Sequence, residues 1–170
     1  RIILLIVNIF LLIYLTGCDE YSHTAVVGIP ETGHVKQLPQ YNSPYTICYE
    51  NRDGTYSMYI FSAPIQYKTD TGEYALIDNT VVESSKDGFA YENKANTIKT
   101  YFPKSLQDFF RVEEGSRYIA FLPEDIEGFS EAKHVSYTNM YGTIVDAVRY
   151  EREDMDYVFY PVRSGIKMEV

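Results

Sequence analysis

Paired carboxylates are the first place to look for chemistry in this sequence, because two acids held across a cleft can hydrolyse a glycosidic bond. Glu113-Glu114 and the acidic run Glu151 to Asp154 supply such pairs. Glycosidases need carboxyl groups about 5–10 Å apart facing one sugar, whereas sequence neighbours on a strand point to opposite faces. These acids therefore read as solvated. Asp78-Asn79-Thr80 offers a catalytic carboxylate or a calcium ligand, but an Asp-Asn step in a β-rich chain more often bonds its own backbone where a strand bends. Cys48 sits in the strand-like alternation Tyr45-Thr46-Ile47-Cys48-Tyr49-Glu50 with no base nearby to make it a nucleophile. His23 and His34 are eleven residues apart without Cys or acidic partners, which favours two solvated histidines over a metal site. A Gly-rich phosphate loop, a calcium-loop pattern and a Gly-x-Ser-x-Gly elbow are all missing from the sequence. The expectation is a protein with no catalytic residue, no metal ligand and no cofactor, and a glycosidase-type enzyme ranks last among the alternatives.

One cysteine is different. Leu15-Thr16-Gly17-Cys18 follows a run, Ile2 to Leu15, that is almost unbroken Ile, Leu, Val and Phe. A spanning helix needs roughly 20 apolar residues, so a run of this length suits the apolar centre of a secretory signal. The tetrad resembles the bacterial lipobox. In the bacterial lipobox, small residues before the cysteine open the bond to a peptidase and the thiol takes the lipid. The resemblance implies a signal-peptide helix over residues 1–17, lipidation of Cys18, and residence on the outer face of the cytoplasmic membrane. The membrane, reached through that lipid, is the first expected partner. An ordinary signal or short anchor with an incidental cysteine is the plainer alternative. The sequence begins at Arg1 rather than Met, so the rest of a basic leader is expected ahead of it.

The elements that would position anything else begin after a stalk. Residues 19–44 contain Pro30, Pro39 and Pro44, several Gly and Ser, and no apolar periodicity, and read as a flexible spacer. From Tyr45 short β-type runs alternate with turn signals. Tyr45 to Glu50 and Thr55 to Phe61 flank an Asp53-Gly54 turn, the first hairpin. Ile65 to Lys68, Glu73 to Val82, Phe89 to Glu92, Thr97 to Phe102, Arg111 to Glu113, Tyr118 to Leu122, His134 to Tyr137, Thr143 to Arg149, Tyr157 to Val162 and Ile166 to Val170 continue the series. Helical periodicity is confined to a single turn at Lys104 to Phe110. This pattern predicts an all-β fold, an antiparallel sandwich-like domain over residues 45–170. Seventeen tyrosines and no tryptophan make the tyrosine rings its main aromatic mass. Tyr45, Ile47 and Tyr49 share one strand face, favouring cross-strand pairs and core over a sugar-stacking platform. A carbohydrate-binding module stays as the second reading.

Charge and cysteine count narrow the partners. The formal net charge is −9, and without residues 1–17 the 15 Lys and Arg fall to 14 against 24 Asp and Glu, giving −10. Phosphate backbones demand clustered Lys and Arg, so nucleic acid is not an expected partner. With Cys18 lipidated, only Cys48 remains and no internal disulfide forms, and a chain of this size buries a sufficient core without one.

Several segments carry a wider resemblance. Pro64-Ile65-Gln66-Tyr67-Lys68, Gly72, Ile77-Asp78-Asn79-Thr80, Tyr91-Glu92-Asn93-Lys94-Ala95-Asn96 and Tyr101-Phe102-Pro103-Lys104 resemble, in order and spacing, the N-terminal β-region of secreted bacterial DNRLRE-domain and RHS-repeat surface proteins. Val148-Arg149-Tyr150, Met155-Asp156-Tyr157 and Gly165 to Val170 are similar to the segment where that region closes, while Arg111 to Thr143 departs from it. The resemblance implies a structural or presenting region at the head of a longer extracellular polypeptide, with downstream domains of that polypeptide or cell-wall components as partners. The alternation at Met168-Glu169-Val170 is unfinished, so the domain is expected to be truncated there, with an open hairpin edge prone to self-association.

Overall fold

Short alternating runs separated by Gly-containing turns leave the backbone few options besides antiparallel pairing, and the computed structural model is all-β throughout the part it describes, residue 29 and residues 33–170. Fourteen strands follow one another: β1 His34–Gln37, β2 Thr46–Asn51, β3 Tyr56–Ile60, β4 Gln66–Lys68, β5 Tyr74–Leu76, β6 Asp78–Glu83, β7 Phe89–Ala95, β8 Ile98–Pro103, β9 Phe110–Glu114, β10 Arg117–Phe121, β11 Lys133–Thr138, β12 Ile144–Glu151, β13 Asp156–Val162 and β14 Gly165–Glu169. The turns explain the connectivity. Asn51 N donates to Thr55 O at 2.8 Å and Gly54 N to Asn51 O at 3.1 Å, and the same pair of bonds recurs at Thr69–Glu73 and Asn139–Thr143. Gly54 closes its turn at φ 79°, a left-handed value that a side chain would strain.

Four antiparallel sheets result, in the orders β1-β2-β3, β4-β5, β10-β9-β8-β7-β6 and β11-β12-β13-β14. The five-stranded and four-stranded sheets enclose the main core. Val81, Phe102, Leu106 and Phe110 from one side meet Val148, Tyr150, Tyr157 and Phe159 from the other. Phe110 is its centre, with its ring 4.2 Å from Phe159 and 5.3 Å from the stacked Phe121. Tyr150, fully buried, donates its hydroxyl to Pro103 O at 2.7 Å and so satisfies its one polar group. Alternation then puts Val145, Ala147, Val158, Tyr160 and Val162 on the opposite face of the four-stranded sheet, where they form a second buried cluster.

Three expectations are corrected. The boundary at residue 45 falls inside a sheet, because β1 pairs with β2 and Pro39–Tyr41 forms a 3-10 turn. A lone apolar residue, Val35, between prolines and glycine hid a strand whose bonds come from β2. Glu73 to Val82 is two strands, broken at Ile77, whose N–H leaves the run to reach Ile65 O at 2.9 Å. The helical turn at Lys104 to Phe110 is a non-helical turn held by Asp108 N to Ser105 O at 3.1 Å and Gln107 N to Ser105 Oγ at 3.2 Å. Cys18, the signal segment 1–17, the lipobox 15–18, His23 and residues 19–28 and 30–32 of the stalk lie outside the described residues. Among the described residues no helix is long and apolar enough to cross a membrane.

Candidate functional site

Asparagine is a poor strand former, yet Asn79 and Asn93 sit inside β6 and β7 and are buried, with Asn93 0 % exposed. A buried amide is stable only with partners, and here Asn93, Asn79 and Asn96 supply them to one another. Asn93 Nδ2 donates to Asn79 Oδ1 at 3.2 Å and to Ile98 O at 2.9 Å, while its Oδ1 accepts from Thr100 N at 2.9 Å. Asn96 Nδ2 also reaches Asn79 Oδ1 at 3.2 Å and extends to Arg163 O at 3.1 Å, and Asn96 Oδ1 accepts from Ile98 N at 3.2 Å. The β7–β8 ladder runs only from Phe89↔Pro103 to Glu92↔Tyr101. Beyond it, the Asn93 side chain takes over the bonding to β8 that the backbone has relinquished, and Asn96 ties this corner to the β13–β14 turn.

Asp78 borders the same network. Its Oδ1 accepts from Thr80 N at 3.0 Å, the self-bonding bend anticipated for Asp78-Asn79-Thr80, and the β6–β7 register is irregular between Asp78 and Val81. Lys94 Nζ lies 2.9 Å from Oδ2. Burial opposes ionisation of Asp78, but the hydrogen bonds from Lys94 and Thr80 outweigh it and bring the pKa down to about 2.

The acidic pairs are dispersed among basic partners. Glu113 meets Lys86 at 2.6 Å and Arg111 at 2.7 Å, while Glu114 pairs with Arg117 at 3.3 Å. The Lys86 hydrogen bond, ahead of the charges of Lys86 and Arg111, holds the Glu113 carboxyl below its ordinary range. Glu151 pairs with Lys133. Arg152 bridges Asp154 at 2.6 Å and Asp125 at 3.0 Å, and donates to Glu127 O at 3.3 Å, so it fastens the loop between β10 and β11. Among the described residues no three His, Cys, Asp or Glu side chains converge as metal ligands.

Cys48, 4 % exposed, lies at the base of an open groove of about 400 Å³ that Leu38, Tyr41, Glu50, Tyr56 and Met58 also line. Its thiol donates to Tyr41 O at 3.4 Å and its N–H to Asn42 Oδ1 at 3.1 Å. On the other face of β2, His34 stacks on Tyr49 at 4.5 Å and Tyr59 meets both edge-on. His34 Nδ1 is 2.7 Å from Asn51 Oδ1 and its Nε2 is 2.9 Å from the Tyr59 hydroxyl. Tyr49 therefore spends its face on a neighbouring ring, as expected, whereas Tyr41, Tyr45 and Tyr56 stay exposed.

Sequence reasoning missed two arrangements. The three asparagines were visible only as a resemblance, and the signal that could have found them is the placement of Asn within strand-forming runs, where an amide needs a buried partner. Glu169 was the other. It accepts from Tyr160 at 2.8 Å, Tyr137 at 2.9 Å and Met140 N at 3.1 Å, uniting β14, β13, β11 and the following turn. Burial first, then the Glu169 hydrogen bond, raise both tyrosine pKa values. No family model, curated protein or solved structure matches the chain.

Proposed function

We propose that this chain is a non-enzymatic structural or presenting module of a lipid-anchored bacterial cell-surface protein. The observation that carries the reading is where its polar chemistry is spent: Asn79, Asn93 and Asn96 bond one another and two backbone segments, the start of β8 and the β13–β14 turn, at the corner between the two large sheets. Side chains committed in this way hold strands in place. The segments behind the resemblance to DNRLRE-domain and RHS-repeat proteins contain these same asparagines, which supports a rigid supporting part in a longer surface polypeptide. The anchor rests on Leu15-Thr16-Gly17-Cys18.

Cells producing the full chain and its Cys18→Ala variant, fed an alkyne fatty acid, test the proposal. The parent should label and partition into detergent, and the variant should do neither. Equal labelling of the two would overturn the anchored reading. One observation favours carbohydrate binding as a second reading: Tyr41 and Tyr56 flank the groove above Cys48 with exposed rings. Retention on cell-wall polysaccharide that disappears in Tyr41→Ala and Tyr56→Ala would move that reading ahead.

A further inference from the structure

Strand β3 forms one margin of its sheet, which runs β1-β2-β3, and among the described residues no strand pairs with its outer side. The ladder ends fix which backbone groups face outward. Asn51 N donates to Thr55 O and Phe61 N donates to Tyr45 O, so the odd-numbered residues turn their amides and carbonyls toward β2. Tyr56, Met58 and Ile60 turn theirs away. The same three side chains share one face and are 72 %, 59 % and 74 % exposed. Proteins usually blunt such a margin with a charged residue or proline. Here residues 54–67 contain no charged side chain at all. Each of β1, β4, β6, β10, β11 and β14 carries at least one Lys, Arg, Asp or Glu, and only the three-residue β5 also lacks one.

We propose that this edge pairs with a second copy of the chain, β3 against β3, antiparallel about a two-fold axis through Met58. In that register Tyr56 faces the partner's Ile60, Met58 faces Met58, and the outward groups of the three residues exchange about six backbone hydrogen bonds. Charge selects this occupant. The chain carries −9, so two copies repel wherever acidic surface meets acidic surface, and a neutral, self-complementary strand is where they can approach. An ionic partner would find no opposite charge on β3 to recognise. Pairing also joins the apolar stripes of the two copies on the face where the Cys48 groove opens. A five-residue seam is small beside an ordinary permanent interface, so the pairing is concentration-dependent.

Disulfide trapping in the full chain, in detergent micelles, tests the register. Hydrogen-bonded opposite residues have Cα atoms about 5.5 Å apart, within the window for a disulfide. A Cys48→Ser, Met58→Cys double variant, which removes the thiol that faces position 58 from β2, oxidised with copper phenanthroline should give a dimer of twice the chain mass, linked through position 58. Ile119→Cys, exposed on the β10 edge, should give no more than the parent's background, and adding Tyr56→Lys to Met58→Cys should remove the crosslink. Sedimentation of unsubstituted chain should show a concentration-dependent dimer that Met58→Lys abolishes. A parent that stays monomeric at every concentration, equal crosslinking through Ile119→Cys, or a crosslink to residues 1–28 or to another polypeptide would each overturn the proposal. The lipid anchor and the presenting role stand or fall separately, by the Cys18 labelling.

Discussion

Replacing Asn93 with alanine should be among the most damaging single changes outside the aromatic core, and the hydrogen bonds say by how much. The substitution removes the acceptor of Thr100 N and the donor to Ile98 O, whereas Asn79 Oδ1 keeps Asn96. An unsatisfied buried group costs about 1–3 kcal/mol. Thr100 is fully buried and Ile98 half-buried, so water recovers part of the second loss and the sum is about 2–4 kcal/mol. That is a large share of the about 5–15 kcal/mol that holds a domain folded. Asn79→Ala is the informative comparison. Each amide that Asn79 serves keeps an acceptor for one of its two N–H groups, Ile98 O for Asn93 and Arg163 O for Asn96, and loses the acceptor of the other, so its cost should also be about 2–4 kcal/mol. Urea unfolding followed by tyrosine fluorescence, in a chain without tryptophan, reads both. With a slope of about 1–3 kcal/mol per M, the Asn93→Ala midpoint should fall by about 1–2 M. If either variant stays within about 0.5 kcal/mol of the parent, the assignment of these bonds is refuted.

Acid should weaken the fold through Asp78: its folded pKa of about 2 lies below the usual 3.8, so its contribution is present above pH 3.8 and disappears as pH falls toward 2. The lowering corresponds to about 2 kcal/mol, and an Asp78→Asn variant should show a correspondingly flatter stability profile between pH 5 and pH 2 in calorimetry. Cys48 should react with a thiol reagent about tenfold or more slower in the native chain than in urea, because exposure of the sulfur requires opening of the β2 region; equal rates would mean that the thiol is open. Glu169→Ala leaves the Tyr160 and Tyr137 hydroxyls and Met140 N without their acceptor. It should cost about 1–3 kcal/mol in thermal unfolding, with Glu169→Gln, which retains an acceptor oxygen, losing less.

Strands were legible where one face is apolar and the turns carry Gly. β12 and β13 are examples, since Val145, Ala147, Val158 and Tyr160 alternate with core residues on the opposite face and Asn139-Met140-Tyr141-Gly142 announces the preceding turn. β1 was not legible because an edge strand with one apolar residue has no periodicity, and its register depends on where Asn51 and Tyr49 lie. The break at Ile77 was hidden for a related reason: β-propensity continues through it, and only the distant carbonyl of Ile65 turns the chain aside. Local chemistry was readable at Asp78, whose bond to Thr80 spans two residues. The asparagine network was not, because its members come from residues 79, 93, 96 and 163, and sequence spacing holds no information about which strands become neighbours.

The bond from Asn96 to Arg163 O spans 67 residues, and this separation has a kinetic meaning. A contact so distant along the chain bears a high entropic cost of closure and forms after the local hairpins on either side have been built. If its formation follows the folding barrier, loss of such an interaction leaves the folding rate nearly unchanged and is expressed as faster unfolding. An Asn96→Ala chain should then unfold faster and refold at the parent's rate in stopped-flow chevron measurements, and the corner that Asn96 closes would act on how long the native chain persists before it opens. Lifetime, more than equilibrium stability, then sets how long a folded chain escapes irreversible loss.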